Sequence, residues 1–351
     1  MTKIRNRQID IARGLGIFSV VLGHIATGLG SHIIYLFHMP FFFMVSGYFH
    51  KVDPKEFQYL RKKALSLLIP YFAYLLILEL PNLTRLLSRI IEAPTVNGAL
   101  SFVKYLVNLA YGGETLTGET GVFWFITCLF LTQQLFNFIS NRIKSPKIVV
   151  IIAAILYMAA YIDQISPGRL VAPWAVNVVG CAFLFYTAGA LYGKYIFSHH
   201  TKPLVFGAIA IAVASIALLN AGVELSFGMK HAYYGYFILS TLVAFALTKL
   251  LALGSQWLAQ HKWPATILAY LGTAAITIMY LHRFIEYNLP EFLQGSPLFQ
   301  AVVITLICCG LHALFLQTDL SRRLLLGSFK KHKQGAQNAT KPLQLKASRN
   351  S

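Results

Sequence analysis

The chain has 351 residues, of which 56% are hydrophobic and only 12% charged, and its mean hydropathy is +0.60. Soluble domains carry about a quarter charged residues, so this composition excludes an ordinary water-soluble protein and predicts an all-α, polytopic integral membrane bundle. The formal net charge of +18 would suggest nucleic acid in a soluble chain; here it matches the basic bias of cytoplasmic loops, and no nucleic-acid partner is expected.

Apolar stretches of about 18 to 25 residues, each long enough for a hydrocarbon core of roughly 30 Å, predict ten spans. They cover residues 10–29, 32–49, 65–82, 122–140, 147–163, 171–194, 203–220, 232–252, 266–287 and 297–317. Together they form one transmembrane domain over residues 1–320, followed by a basic cytoplasmic tail over 321–351 that is expected to be disordered past Lys330. Lys3, Arg5 and Arg7 ahead of an apolar run imitate a secretory signal. Arg13 and His24 interrupt that run and a second span follows at once, so the first helix is read as retained.

Positive charge alternates along the chain. It gathers at the N-terminus, around Lys51, Lys55, Arg61, Lys62 and Lys63, at Arg142, Lys144 and Lys147, and in the tail. The intervening connections are sparse, with Arg85, Arg89, Lys104, Arg169 and Lys230. That alternation puts both termini in the cytoplasm. Cys128, Cys181, Cys308 and Cys309 all lie in apolar stretches without metal-ligand spacing; they read as packing residues, and no metal is expected.

The first two spans form a tight antiparallel hairpin. Its midpoint falls at Ser31, seven residues from both His24 and His38, so the two imidazoles should lie at similar depth on neighbouring helices, roughly 10 Å below the outer boundary. Arg13 and His24 are eleven residues apart, about three turns and about 16 Å, and share one helix face. Ionisable groups cost free energy inside a membrane and mark functional cavities, although an isolated arginine can snorkel and an isolated histidine can serve helix packing. Gly14, Gly16 and Gly23 on the first helix, with Ser46 and Gly47 on the second, favour close approach of backbones. Pro40 is expected to break the second span just after His38.

The longest outer connection, residues 83–121, carries the amphipathic stretch SFVKYLVNLAY and the polar GGETLTGET. Ordered loops of this length are often functional, and they also serve as passive surface elements. Trp124-Phe125 opens the next span, and His282 lies near the outer end of the ninth.

At these residues the chain resembles the membrane acyltransferase family 3, in particular its branch of sugar O-acetyltransferases that includes fucose 4-O-acetylase-like proteins. The residues that carry the resemblance are Asp10, Arg13-Gly14 and His24, then FHMPFFFMVSGY from Phe37 to Tyr48, Arg61-Lys62-Lys63 running into LLIPY, Trp124-Phe125, and YLHRF from Tyr280. The resemblance implies transfer of an acetyl or other acyl group from cytoplasmic acetyl-CoA to a hydroxyl of an envelope glycan or its lipid-linked precursor, in a bacterial inner membrane. Under that reading His24 is the general base on the acceptor hydroxyl. Arg13, Arg61, Lys62 and Lys63 hold the donor's phosphates, and His38 orients His24 or shares its proton. Asp10 pairs with Arg13 three residues along the helix. Ser46 and Trp124 support the site, and Glu114, Glu119 and His282 contact the acceptor. Many relatives carry an additional soluble domain after the helices; only a basic tail follows them here. Two other readings stand beside this one: a transporter or flippase for a glycan intermediate, against which no second copy of the Arg-Gly…His pattern is found in the later half, and an acyltransferase for a small-molecule acceptor.

Overall fold

A computed structural model describes residues 7–198 and 201–329. Ten of its helical segments are long and apolar enough to cross a membrane, and no strand occurs among the described residues. The segments agree in number and order with the ten apolar runs, because a backbone in lipid must satisfy its hydrogen bonds internally and helices do so. In chain order the helices are α1 (Arg7–Ile25), α2 (Gly28–Tyr35), α3 (His38–Tyr48), α4 (Glu56–Lys63), α5 (Ile69–Glu92), α6 (Val96–Tyr111), α7 (Trp124–Arg142), α8 (Pro146–Ile165), α9 (Val176–Phe197), α10 (Lys202–Asn220), α11 (Leu239–Leu258), α12 (Lys262–Tyr287), α13 (Pro297–Phe315) and α14 (Asp319–Leu324). Below, "inner" denotes the end that the charge pattern assigns to the cytoplasm.

The bundle's centre is built from α1, α3, α7, α9 and α12. α1 packs along α12 and α3 along α9, both at backbone distance. A Cβ on Gly14 would lie 2.0 Å from the Leu268 carbonyl oxygen, and one on Gly272 would lie 2.0 Å from the Asp10 carbonyl oxygen. Only glycine permits that approach, which is the way small residues drive helix association where lipid removes the hydrophobic incentive. α8 and α10 lie at the periphery and turn Ile151, Ile155, Phe206 and Val213 outward, as lipid-facing helices do.

Three local features differ from the sequence expectation. The second span is two helices rather than one: it breaks at Leu36-Phe37 and restarts at His38. Pro40 is therefore not the breaking point. It sits in the first turn of α3, where its missing N–H has no intrahelical partner to lose. The third span is longer than expected and runs to Glu92 through Pro81, after a π-helical turn at Ala64–Leu68 that precedes Pro70. Ahead of Lys330 the tail carries a short helix that the sequence did not signal: α14 covers Asp319–Leu324, its Thr318 cap accepts from the Ser321 N–H, and Gly327 packs on the Ser66 carbonyl in the π turn. The rest of the tail, 330–351, and Lys3 and Arg5 at the N-terminus lie outside the described residues.

Candidate active site

α1 presents Arg13, Ile17, Val20 and His24 at spacings of four, three and four, one continuous helical face. These four residues line two cavities that lie end to end. The inner cavity, about 310 Å³, takes Arg13 and Ile17 from α1, Ser46 from α3, Lys63 from α4 and Gln133 from α7. The outer cavity, about 380 Å³, takes His24 from α1, Tyr35 and His38 from the broken second span, Trp124 from α7, and His282 and Arg283 from α12. Val20, Met39, Phe125 and Met279 line both and form an apolar wall between them. The spacing of Ala275, Met279 and His282 on α12 repeats the pattern of α1, so the two helices that meet through Gly14 and Gly272 flank the whole path.

Four histidines line the outer cavity, His24, His38 and His282 from its helical walls and His231 from an outer connection. The His24 Nδ1 lies 3.1 Å from the Tyr35 hydroxyl, a pair in which either can donate. The Tyr35 ring meets His38 edge-on at 4.9 Å, so Tyr35 connects the two histidines of the hairpin. The His38 Nδ1 is 2.8 Å from the Ile34 carbonyl and the His282 Nδ1 is 2.7 Å from the Ile278 carbonyl. A carbonyl can only accept, so in each neutral ring the hydrogen is on Nδ1 and Nε2 is a bare lone pair. The His24 and His282 rings lie 5.2 Å apart, tilted by 39°. His282 is fully buried, and its Nε2 meets no hydrogen-bonding group among the described residues.

Thr117 and Gly121 of one outer connection and Phe227 and Lys230 of another line this cavity, and a third connection reaches the first through Arg169. Arg169 forks onto both carboxylate oxygens of Glu114 at 2.8 and 2.7 Å, and the His231 Nδ1 is 2.8 Å from the same carboxylate. Lys230 donates to the Leu116 carbonyl at 2.7 Å. Burial works against the charge on Glu114, but Arg169 and His231 outweigh it and hold the carboxyl below the ordinary carboxylate range. Burial also lowers the Lys230 ammonium from its usual value, with Glu114 opposing. Because the Glu114 value is depressed on folding, its stabilising contribution is present above the ordinary carboxylate range and is lost as the pH falls through the depressed value. Glu114→Gln is expected to lower stability in detergent by about 1–2 kcal/mol, after allowance for partial solvent exposure, while leaving turnover at saturating substrate near wild type. Thermal melts at neutral and acidic pH check this, and a variant that melts with the wild type at neutral pH would contradict it.

The remaining residues singled out in the sequence fall in several places. The Arg13 guanidinium is 3.7 Å from the Asp10 carboxylate. Lys63 lines the inner cavity, whereas Arg61 and Lys62 are exposed on α4 and do not line it. Glu119 accepts from Asn288 at 3.1 Å and borders a separate outer pocket with Glu79, Asn82 and Tyr105. Sequence reasoning passed over Tyr35, Glu79, Lys230 and Arg283. Glu79 is a buried acid within an apolar span, accepting from Thr120 at 2.9 Å, Asn82 at 3.0 Å and Tyr105, and an acid in a span was a readable signal. Tyr35 sits three residues before His38; nothing in the pattern marks it out from the other aromatics nearby.

The fold is that of a polytopic helical membrane protein with two adjoining cavities among its spans, the outer one lined by histidines. The family model described as an acyltransferase domain (acyltransferase family 3) matches residues 6–316. The chain belongs to that family and is a membrane acyltransferase. No curated protein and no solved structure matches it.

Proposed function

We propose that this acyltransferase moves an acetyl group from acetyl-CoA on the cytoplasmic side of a bacterial inner membrane to a sugar hydroxyl of an envelope polysaccharide or its lipid-linked precursor. The observation that carries the reading is the pair of cavities meeting at Val20, Met39, Phe125 and Met279. One has cations at its inner end and the other has imidazoles at its outer end. A polyanionic donor suits Arg13 and Lys63, since guanidinium and ammonium groups bind phosphate strongly. Its apolar arm suits the walls formed by Ile17, Leu67 and Leu129. His38 and His282 line the outer cavity with Nδ1 committed to backbone carbonyls, so their Nε2 atoms can only accept, which suits a ligand rich in donors such as hydroxyls.

In this mechanism the His24 Nδ1–H donates to Tyr35, leaving Nε2 to remove the acceptor's hydroxyl proton. The oxygen attacks the thioester carbonyl, the C–S bond breaks, and the departing thiolate recovers the proton from His24. Lys230 and Arg283 at the outer rim orient the acceptor. Because the thiolate takes its proton from His24, the donor's arm carries the thioester past the apolar wall into the outer cavity. A transporter would need no such pinned imidazoles, and the family assignment argues against that reading.

Arg13→Ala is expected to raise the KM for acetyl-CoA about 10- to 100-fold, the worth of a charge-assisted phosphate contact, with a smaller change in kcat. Steady-state thiol release by the reconstituted protein tests this. An unchanged KM would remove Arg13 from the donor site.

A further inference from the structure

We propose that His282 is a positioning residue for the acyl transfer: its bare Nε2 accepts a hydrogen bond from the His24 imidazolium and holds the transferred proton between the two rings until the thiolate takes it. The inference rests on the reading of His24 as general base and adds a second imidazole, from a helix distant in sequence, to the hairpin.

The local geometry fixes His282 as an acceptor. Its Nδ1–H is committed to the Ile278 carbonyl one turn earlier on α12, so the neutral ring has no hydrogen to offer the cavity. Its Nε2 is buried and unpartnered among the described residues. A buried acceptor left unpaired is destabilising, and the site recovers that cost when a donor arrives. The ring lies 5.2 Å from His24, and the backbone contact through Gly14 and Gly272 fixes the separation of the two helices. When His24 is neutral, with its hydrogen on Nδ1, it offers nothing to His282. Once it has taken the acceptor proton, its Nε2–H is a charged donor, and a centroid separation of 5.2 Å leaves room for one N–H···N hydrogen bond to His282.

Atoms and electrons balance around this pair. The acceptor O–H bond breaks and its proton goes to the His24 Nε2, while the oxygen pair forms the new C–O bond. Collapse of the tetrahedral intermediate sends the C–S pair to sulfur, and the shared proton leaves His24 for that sulfur, giving ester and free CoA thiol. His282 is unchanged overall. Its effect is to stabilise a charge that exists only during the reaction, which raises kcat without tightening substrate binding.

The test compares His282→Gln, which restores a carbonyl acceptor, with His282→Met, which fills the space without one. Full-length protein in lipid nanodiscs is given acetyl-CoA and, as acceptor, the polysaccharide and lipid-linked oligosaccharide extract of cells that lack the protein. Thiol release and label transfer are both read. His282→Met should lose about 100-fold in kcat with the KM for acetyl-CoA unchanged, and His282→Gln should retain at least about tenfold more activity than His282→Met. A packing role predicts the opposite order, because Met suits a buried membrane site better than Gln. Equal activities in the two variants, or Met above Gln, overturn the proposal. Should either variant fail to fold, His282→Ala with added imidazole carries the same test: restored transfer supports the shared proton, and no restoration overturns it. Wild-type activity that survives His24→Ala overturns the base assignment itself, a result distinguishable from failure at His282.

Discussion

His24→Ala should abolish acyl transfer, with kcat falling by about 10²- to 10⁴-fold and the protein still folded. The expectation of a folded variant comes from the surroundings of the ring. His24 faces the outer cavity, and its side-chain hydrogen bond is to Tyr35, so truncation enlarges a cavity that already exists. Acetyl-CoA binding should survive, because Arg13 and Lys63 line the other chamber, about 16 Å along α1. Donor binding by isothermal titration and turnover by thiol release separate the two effects. Retained turnover with intact binding would remove His24 from the chemistry.

Gly14→Ala should disturb the fold strongly. The new Cβ would lie 2.0 Å from the Leu268 carbonyl oxygen, a backbone atom that cannot rotate away. α1 and α12 must then separate, at a cost of at least about 1–3 kcal/mol for overpacking. Because His24 and His282 sit on these two helices, the separation should reduce activity as well as stability. Gly207→Ala on peripheral α10 is the control: a Cβ there meets nothing within 4 Å, and the helix should be unchanged or slightly stabilised. Thermal unfolding of both variants in detergent, with turnover measured alongside, tests the pair. Equal melting of Gly14→Ala and wild type would mean that the helices are not held at backbone distance.

Most of the architecture could be read from hydropathy because a span needs a long apolar run and little else. The site was readable where it broke that rule. Arg13, His24 and His38 stand out against apolar neighbours, and eleven-residue spacing put the first two on one face. The structure brings His282 to the same cavity, which sequence depth alone had suggested. Residues became invisible where the rule was not broken. Lys230 is one lysine in an outer connection, and only the chain's return over the cavity gives it a place in the rim. Tyr35 is one aromatic among many, set apart by the break at Leu36-Phe37, and the sequence attributed that break to Pro40. Arg61 and Lys62 illustrate the reverse: a basic cluster to which the resemblance assigned the donor's phosphates is split by helix phase, with Lys63 turned to the inner cavity and its two neighbours exposed. Glu114 was readable as a polar loop residue but not as the acceptor of a fork from Arg169, which lies 55 residues away.

The activity proposed for this chain is esterification of an envelope glycan at its histidine-lined outer cavity. The most direct measurement is the mass and base-labile ester content of envelope polysaccharide from three otherwise identical cell lines. One expresses the wild-type chain, one lacks it, and one expresses His24→Ala at a matched membrane level. The account predicts an acetyl-mass ester on one sugar in the first line and its absence from the other two, with the glycan itself present in all three. Identical ester content in all three lines, or loss of the surface glycan in place of loss of its ester, would contradict it.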